Sequence, residues 1–137
     1  MRRARLFVIG IGALILAGCP SATAPHQVGV SGGGGGALVL RFIVQPTTSN
    51  SGAFITPAVQ VAITDSAGVI DTTATGGVTI TFGNNPGGAT LGGTTVVPFT
   101  SGVSAFPDLT VSLPGTGYTL LATSGALTVT SNLFNIN

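Results

Sequence analysis

A chain of 137 residues has room for one ordinary domain, and this one contains neither Lys nor Glu and carries a formal charge of only +1. Three of its four basic residues, Arg2, Arg3 and Arg5, sit at the extreme N-terminus; from residue 19 onward one Arg (Arg41) faces three Asp (Asp65, Asp71, Asp108), a net of 1 − 3 = −2. A body with a single guanidinium cannot neutralise several phosphates, which excludes nucleic acid as a partner, while 44% apolar residues and 20 Thr exclude a disordered chain and favour packed strands.

The chain opens on Met1-Arg2-Arg3-Ala4-Arg5 and continues through residues 6–18 without a charge. That run suits the apolar core of an export signal and is too short for a membrane-spanning helix, which needs about 20 residues. It closes on Leu16-Ala17-Gly18-Cys19, which resembles the lipobox of bacterial lipoproteins: a large aliphatic residue, two small ones, then cysteine. The resemblance implies that residues 1–18 are a signal peptide and that Cys19 becomes the N-terminus, carrying a thioether-linked diacylglycerol and an N-acyl chain such as palmitate. Cys19 is the only cysteine, so an exported chain without this modification would carry a thiol with no disulfide partner. Each buried CH₂ contributes about 0.8 kcal/mol, so two or three acyl chains hold a protein on its membrane almost permanently. Position 20 is Pro rather than the Asp that commonly marks inner-membrane retention, which favours the outer membrane.

Residues 19–37 read as a linker of Ser, Thr, Pro and Gly that ends in five glycines, Gly32 to Gly36. Consecutive glycines lose too much backbone entropy to hold regular structure, and a Gly-rich coil of this length spans roughly 21 to 25 Å. A phosphate-binding loop would need a Lys and a following helix, and neither is expected here. His26, the only histidine, lies in this linker without convergent ligands nearby in sequence.

From residue 38 to 137 the pattern is alternation, with no stretch of helical period free of Gly, Pro or β-branched clusters. Residues 38–45 read as a first strand stopped by Pro46. Residues 58–64 form a second, with Val59, Val61 and Ile63 on one face. Asp65-Ser66-Ala67-Gly68 is a turn, followed by a short strand near residues 69–73. Residues 77–83 place Val78, Ile80 and Phe82 together, and Asn84-Asn85-Pro86-Gly87-Gly88 is a loop. Residues 94–99 suit an edge strand because Pro98 cannot donate a ladder hydrogen bond. In residues 103–113, Val103 and Ala105 share a parity with Leu109, Val111 and Leu113 while Phe106 does not, so a bend or bulge at Pro107-Asp108 is expected to turn Phe106 inward. Residues 118–123 and 127–136 complete the set, with a bulge expected near Ser131-Asn132.

About seven short strands in about 100 residues favour an all-β, two-sheet sandwich. The domain resembles bacterial immunoglobulin-like domains of the invasin and intimin type. The resemblance is carried by Phe42-Ile43-Val44-Gln45-Pro46, Pro57-Ala58-Val59-Gln60-Val61 with Asp65 to Gly68, Asn85-Pro86-Gly87-Gly88-Ala89-Thr90-Leu91, Phe106-Pro107-Asp108-Leu109, Gly115-Thr116-Gly117-Tyr118-Thr119-Leu120 and Phe134-Asn135-Ile136. It implies an immunoglobulin-like fold and a spacer or display role, and brings no binding residues.

Few residues are candidates for chemistry. Leu113-Pro114-Gly115-Thr116-Gly117 matches the letters of a sortase signal, but the residues after it hold no Lys or Arg, so a turn before a strand is expected. Tyr118, the only tyrosine, opens a late strand, where sandwiches often bond a tyrosine hydroxyl to the backbone of a sheet corner; the alternative is a sugar-stacking ring. Asp65, Asp71 and Asp108 offer oxygen donors but match no calcium-loop spacing, so turn roles are expected. With no His, Cys, Lys or Glu in the domain, a nucleophile lacks a basic partner, and neither catalysis nor a cofactor is expected. Phe54 and Phe99, the aromatics least clearly assigned to the core, are candidate exposed rings for a surface carbohydrate-binding module, the alternative to display or protein contact. Strand edges without Lys raise a third reading, pairing with another chain.

Overall fold

The computed structural model describes residues 36–137; the expected lipobox Leu16, Ala17 and Gly18, the lipidation candidate Cys19 and His26 lie outside them. The described residues contain no helix. They form β1 (Val39–Val44), β2 (Val59–Thr64), β3 (Gly77–Asn84), β4 (Leu91–Gly92), β5 (Val96–Pro98), β6 (Val103–Phe106), β7 (Thr110–Val111), β8 (Gly115–Ser124), β9 (Leu127–Thr130) and β10 (Phe134–Ile136).

These strands build a three-stranded sheet in the order β1-β2-β6 and a five-stranded sheet in the order β10-β8-β3-β5, with β9 also on β8; β4 and β7 form a separate two-stranded ladder. All the strand pairings are antiparallel. The registers give the sandwich two distinct ends. The start of β1, the end of β2 and the β8–β9 turn share a near end, where the described chain begins; the loop after β3, the start of β8 and Asn137 share the far end.

Alternation accounts for the core. Val59, Val61 and Ile63 of β2, Val78 and Ile80 of β3, and Tyr118, Leu120 and Ala122 of β8 point between the sheets and are buried. At about 25 cal/mol per Å² of apolar surface, this inward layer is the main stabilising contribution, since the chain has almost no charge to contribute. The break expected near Ser131-Asn132 is present: the last long strand stops after Thr130, where the Ser131 hydroxyl accepts from the Leu120 N–H at 2.9 Å. A further irregularity, without a mark in the alternation, shifts the ladder between β1 and β2 between Phe42 and Val44. The first run of chain also changes sheets. After β1 it bridges Ser49 to Ile136 in parallel, beside β10.

Three elements differ from the alternation pattern. Residues 69–73 make only an isolated bridge, Ile70 to Thr64, because Asp71 folds its carboxylate back on Thr73 and ends the strand. A short β4 forms where no strand was expected, and the count of about seven strands becomes ten because residues 103–113 and 127–136 also divide into two strands each. Residues 103–113 are two strands, not one. Phe106 does turn inward, but Ser104 shares its buried face, while Ala105 lies exposed and Leu113 stands 45% exposed. The break at Pro107-Asp108 resets the parity before Leu109 and Val111 reach the core.

The edges are blunted mainly by geometry, with Arg41 on β1 the one cation of the described residues beside them. β5 ends in Pro98 and is three residues long. The Ser104 hydroxyl donates to the Val97 carbonyl at 3.0 Å and ties β6 to β5 across the two sheets. The same two strands are joined by a tight turn in which Thr100 and Val103 exchange N–H to C=O bonds, with Ser101 at φ 50° and Gly102 at φ 78°. A side chain at Gly102 would strike the Asp71 backbone, so glycine is required there for space as well as for its dihedral. Together with the β1 bulge, these features remove support from the edge-pairing reading.

On the outer side of β2, Ala62 and Thr64 are buried as well, and the Thr64 hydroxyl has no hydrogen-bond partner. An unpaired buried hydroxyl costs about 1–3 kcal/mol. Thr64→Val keeps the shape and removes it, and is expected to raise the unfolding free energy by about 1 kcal/mol in urea denaturation.

Candidate functional site

The residues singled out in the sequence fall at separate places on the sandwich. Tyr118 occupies the most elaborate of them. Its ring is fully buried, with the Phe82 ring centroid at 5.7 Å and the Phe134 centroid at 5.9 Å, both tilted. Its hydroxyl donates to the Leu113 carbonyl at 2.9 Å and lies 3.4 Å from the Pro114 carbonyl. The Leu113-Pro114-Gly115 run is thereby a corner held by the tyrosine, and Leu113 and Pro114 precede β8 as a turn while Gly115 already belongs to it. Glycine at two positions makes room. A Cβ on Gly87 would land on the hydroxyl, and one on Gly115 would lie 3.0 Å from the ring. Gly87 is a packing partner that the sequence showed only as part of a loop; nothing in Asn85-Pro86-Gly87-Gly88 by itself points to a ring 31 positions later. Burial on all sides leaves the Tyr118 ring no face for a sugar.

The three aspartates are engaged in turns. Asp65 accepts from the N–H groups of Ala67 and Val69, each at 2.9 Å. Asp71 accepts from the Thr73 hydroxyl at 2.6 Å and its N–H at 2.9 Å, and these bonds, the hydroxyl first, hold its pKa below the ordinary value. Asp108 accepts from the Thr94 N–H at 3.0 Å and hydroxyl at 2.8 Å, which lower its pKa in the same way, the N–H contributing most. Thr94 is the partner that strand reasoning missed, since it was read as strand rather than as a clasp on a distant turn. Among the described residues no three His, Cys, Asp or Glu side chains gather as a metal site would require. Asp65 and Asp71 stand at the near end and Asp108 beside the loop leading to β7, so they do not form a facing pair of carboxylates.

The two candidate rings part company. Phe54 is 59% exposed and bridges Thr110 through its backbone, toward the far end. Phe99 is corrected to a half-buried residue packed against the core, because its N–H donates to the Gly76 carbonyl at 2.9 Å and draws the ring under the near end of β3. The two therefore do not make one platform. The outward face of the large sheet is instead lined by hydroxyls. Cross-strand register sets Thr79 beside Thr123 and Thr123 beside Thr128, with Thr81 and Thr130 on either side of Leu121. That array offers hydroxyl donors and acceptors for hydrogen bonds.

No family model, no curated protein and no solved structure matches this chain.

Two consequences can be measured. Tyr118→Phe removes the donor to Leu113 while keeping the ring, and is expected to lower stability by about 1–2 kcal/mol, read as a shift in urea midpoint at unchanged slope. Asp71 and Asp108 have folded pKa values below their unfolded ones, so their contribution is present above the unfolded value, about 3.9, and is lost as pH falls through the lowered folded values. Stability should thus be level from neutral pH to about 5 and decline below about 4, and the Asp71→Asn, Asp108→Asn double variant should decline less steeply over the same acid range.

Proposed function

We propose that this chain is a cell-envelope lipoprotein that is fixed to the membrane through acylated Cys19, with the outer membrane favoured, and that displays one immunoglobulin-like module in a structural or protein-contact role without catalysis. The observation that carries the reading is the placement of the only cysteine directly after Leu16-Ala17-Gly18 and an uncharged run with a basic start, ahead of a folded β domain. The finer fold assignment, of the invasin and intimin type, belongs to this proposal. If β1, β2 and β6 are strands A, B and E, and β3, β8 and β9–β10 are C, F and G, the sheet orders follow the immunoglobulin arrangement, with β5 as an added strand next to C. The Tyr118 hydroxyl bond at the start of the F position supports it further.

Engagement of all three carboxylates in turn bonds favours display over chemistry. A surface carbohydrate-binding module is the alternative, and it draws on Phe54 alone among the two rings first considered. Membrane lipid, through acylated Cys19, is the first partner that the reading names, and an envelope protein or glycan is the second. Fractionation and mass spectrometry of the protein from producing cells test the anchor. The expected N-terminal peptide begins at Cys19 and carries acyl mass, and Cys19→Ser moves the protein to the soluble fraction. A free, unmodified thiol at position 19 of the mature, membrane-associated protein would defeat the reading.

A further inference from the structure

One local structure occurs twice at the near end. In the first copy Asp65 opens a turn: the Gly68 N–H donates to the Asp65 carbonyl at 3.0 Å, and the Ala67 N–H to Asp65 Oδ1 at 2.9 Å. In the next loop Asp71 repeats it, with the Ala74 N–H on the Asp71 carbonyl at 3.2 Å and the Thr73 N–H on Oδ1 at 2.9 Å. The residue directly after the aspartate carries a hydroxyl in both turns, Ser66 in one and Thr72 in the other, and both residues are exposed. With the backbone of the turn and the side chain of its first residue both tied, the second residue is held outward at the tip.

Other turns lack the combination. Asn85 opens a turn of the same kind, but Pro86 follows it, and Asn50 opens one with Ser51 behind it, but Asn50 is uncharged. Asp108 spends both its carboxylate oxygens on Thr94 and is followed by Leu109, which is fully buried. Carboxylate, closed turn and outward hydroxyl thus coincide only at Ser66 and Thr72 among the described residues. Gly36 passes close enough to Ser66 that a Cβ on it would strike Oγ, so glycine at that position leaves the oxygen its space.

The surroundings select what such hydroxyls could carry. A phosphate would stand beside a fixed carboxylate and be opposed by like charge. A neutral sugar meets no such penalty, and its C–H faces would cover Ala67 and Val69 in the first loop, where Val69 is 62% exposed.

We propose that Ser66 and Thr72 are acceptor sites for O-linked glycosylation, each presented to a glycosyltransferase as an aspartate-flanked hydroxyl on a preformed turn. The donor is a sugar activated as a lipid-linked diphosphate. The hydroxyl oxygen attacks the anomeric carbon, and the bond from that carbon to the diphosphate breaks. The diphosphate leaves with the electron pair, and the hydroxyl proton passes to a base of the transferase. The proposal rests on the export half of the reading above and needs no acylation of Cys19.

Mass spectrometry of the full-length mature protein, purified from its native cells, tests this. Chymotrypsin cutting after Phe54 and Phe82 releases one peptide holding both sites, with no other Phe, Tyr or Leu inside it. The expected peptide carries two sugar additions, placed on Ser66 and Thr72 by electron-transfer fragmentation. Ser66→Ala and Thr72→Ala each remove one addition, and the double variant removes both. Gly36→Val is expected to lower occupancy at Ser66 severalfold while leaving Thr72 unchanged. A bare peptide, phosphate mass in place of sugar, or sugar confined to other Ser and Thr residues, Ser51 included, overturns the proposal. The N-terminal peptide from the same digest reports the anchor separately. Sugar at both sites beside an unmodified Cys19 sinks the anchor and upholds the acceptors, and acylated Cys19 with a bare peptide does the reverse.

Discussion

Tyr118 joins the two physical problems that this chain must solve, filling space between sheets and fixing the path of a connection that crosses from one to the other. Its ring contributes the largest buried side chain of the core and bridges Phe82 on β3 to Phe134 on β10. Its hydroxyl cannot be left bare in that setting, and the carbonyl of Leu113 is where it is satisfied. The corner before β8 is set by that bond, and with it the register of the strand to which β3, β9 and β10 all attach. Gly87 and Gly115 are small because this ring is large.

Much of this was legible in the residues, for a reason rooted in period. Strand faces are read from every second position, so the buried face of β2 and the inward set of β3 followed directly from Val59-Val61-Ile63 and Val78-Ile80-Phe82. Breaks were legible wherever Pro or a change of parity marked them, as at Pro107-Asp108 and Ser131-Asn132. What period cannot express is contact across long separations. Thr94 clasping Asp108, Gly87 yielding to Tyr118 and Ser49 bonding to the C-terminal strand have no local signature, since each depends on where a loop is carried by the rest of the fold. Phe99 illustrates the same limit from the other side: a ring beside Pro98 reads as surface, yet the Gly76 carbonyl draws it inward. The candidate anchor at Cys19 is the opposite case, a purely local motif that needs no fold to be recognised.

The domain spends its polar groups on shape. Every aspartate closes a turn, Asn85 closes its own loop by bonding Ala89 in both directions at 2.8 Å, and Ser104 and Ser131 bond to backbone of neighbouring strands. What remains outside includes a hydroxyl-covered sheet, scattered apolar side chains such as Phe54, Val69 and Leu133, and one guanidinium, Arg41, on an edge strand.

The manner in which the sheet edges are guarded bears on how the domain responds to salt. Many proteins keep edge strands from sticking by placing lysines on them, a defence that ions weaken by screening. Here the guards are a proline, a bulge and a covering stretch of chain, all of them geometric. Screening has no hold on guards of this kind, so they stay in place in brine and in dilute medium alike.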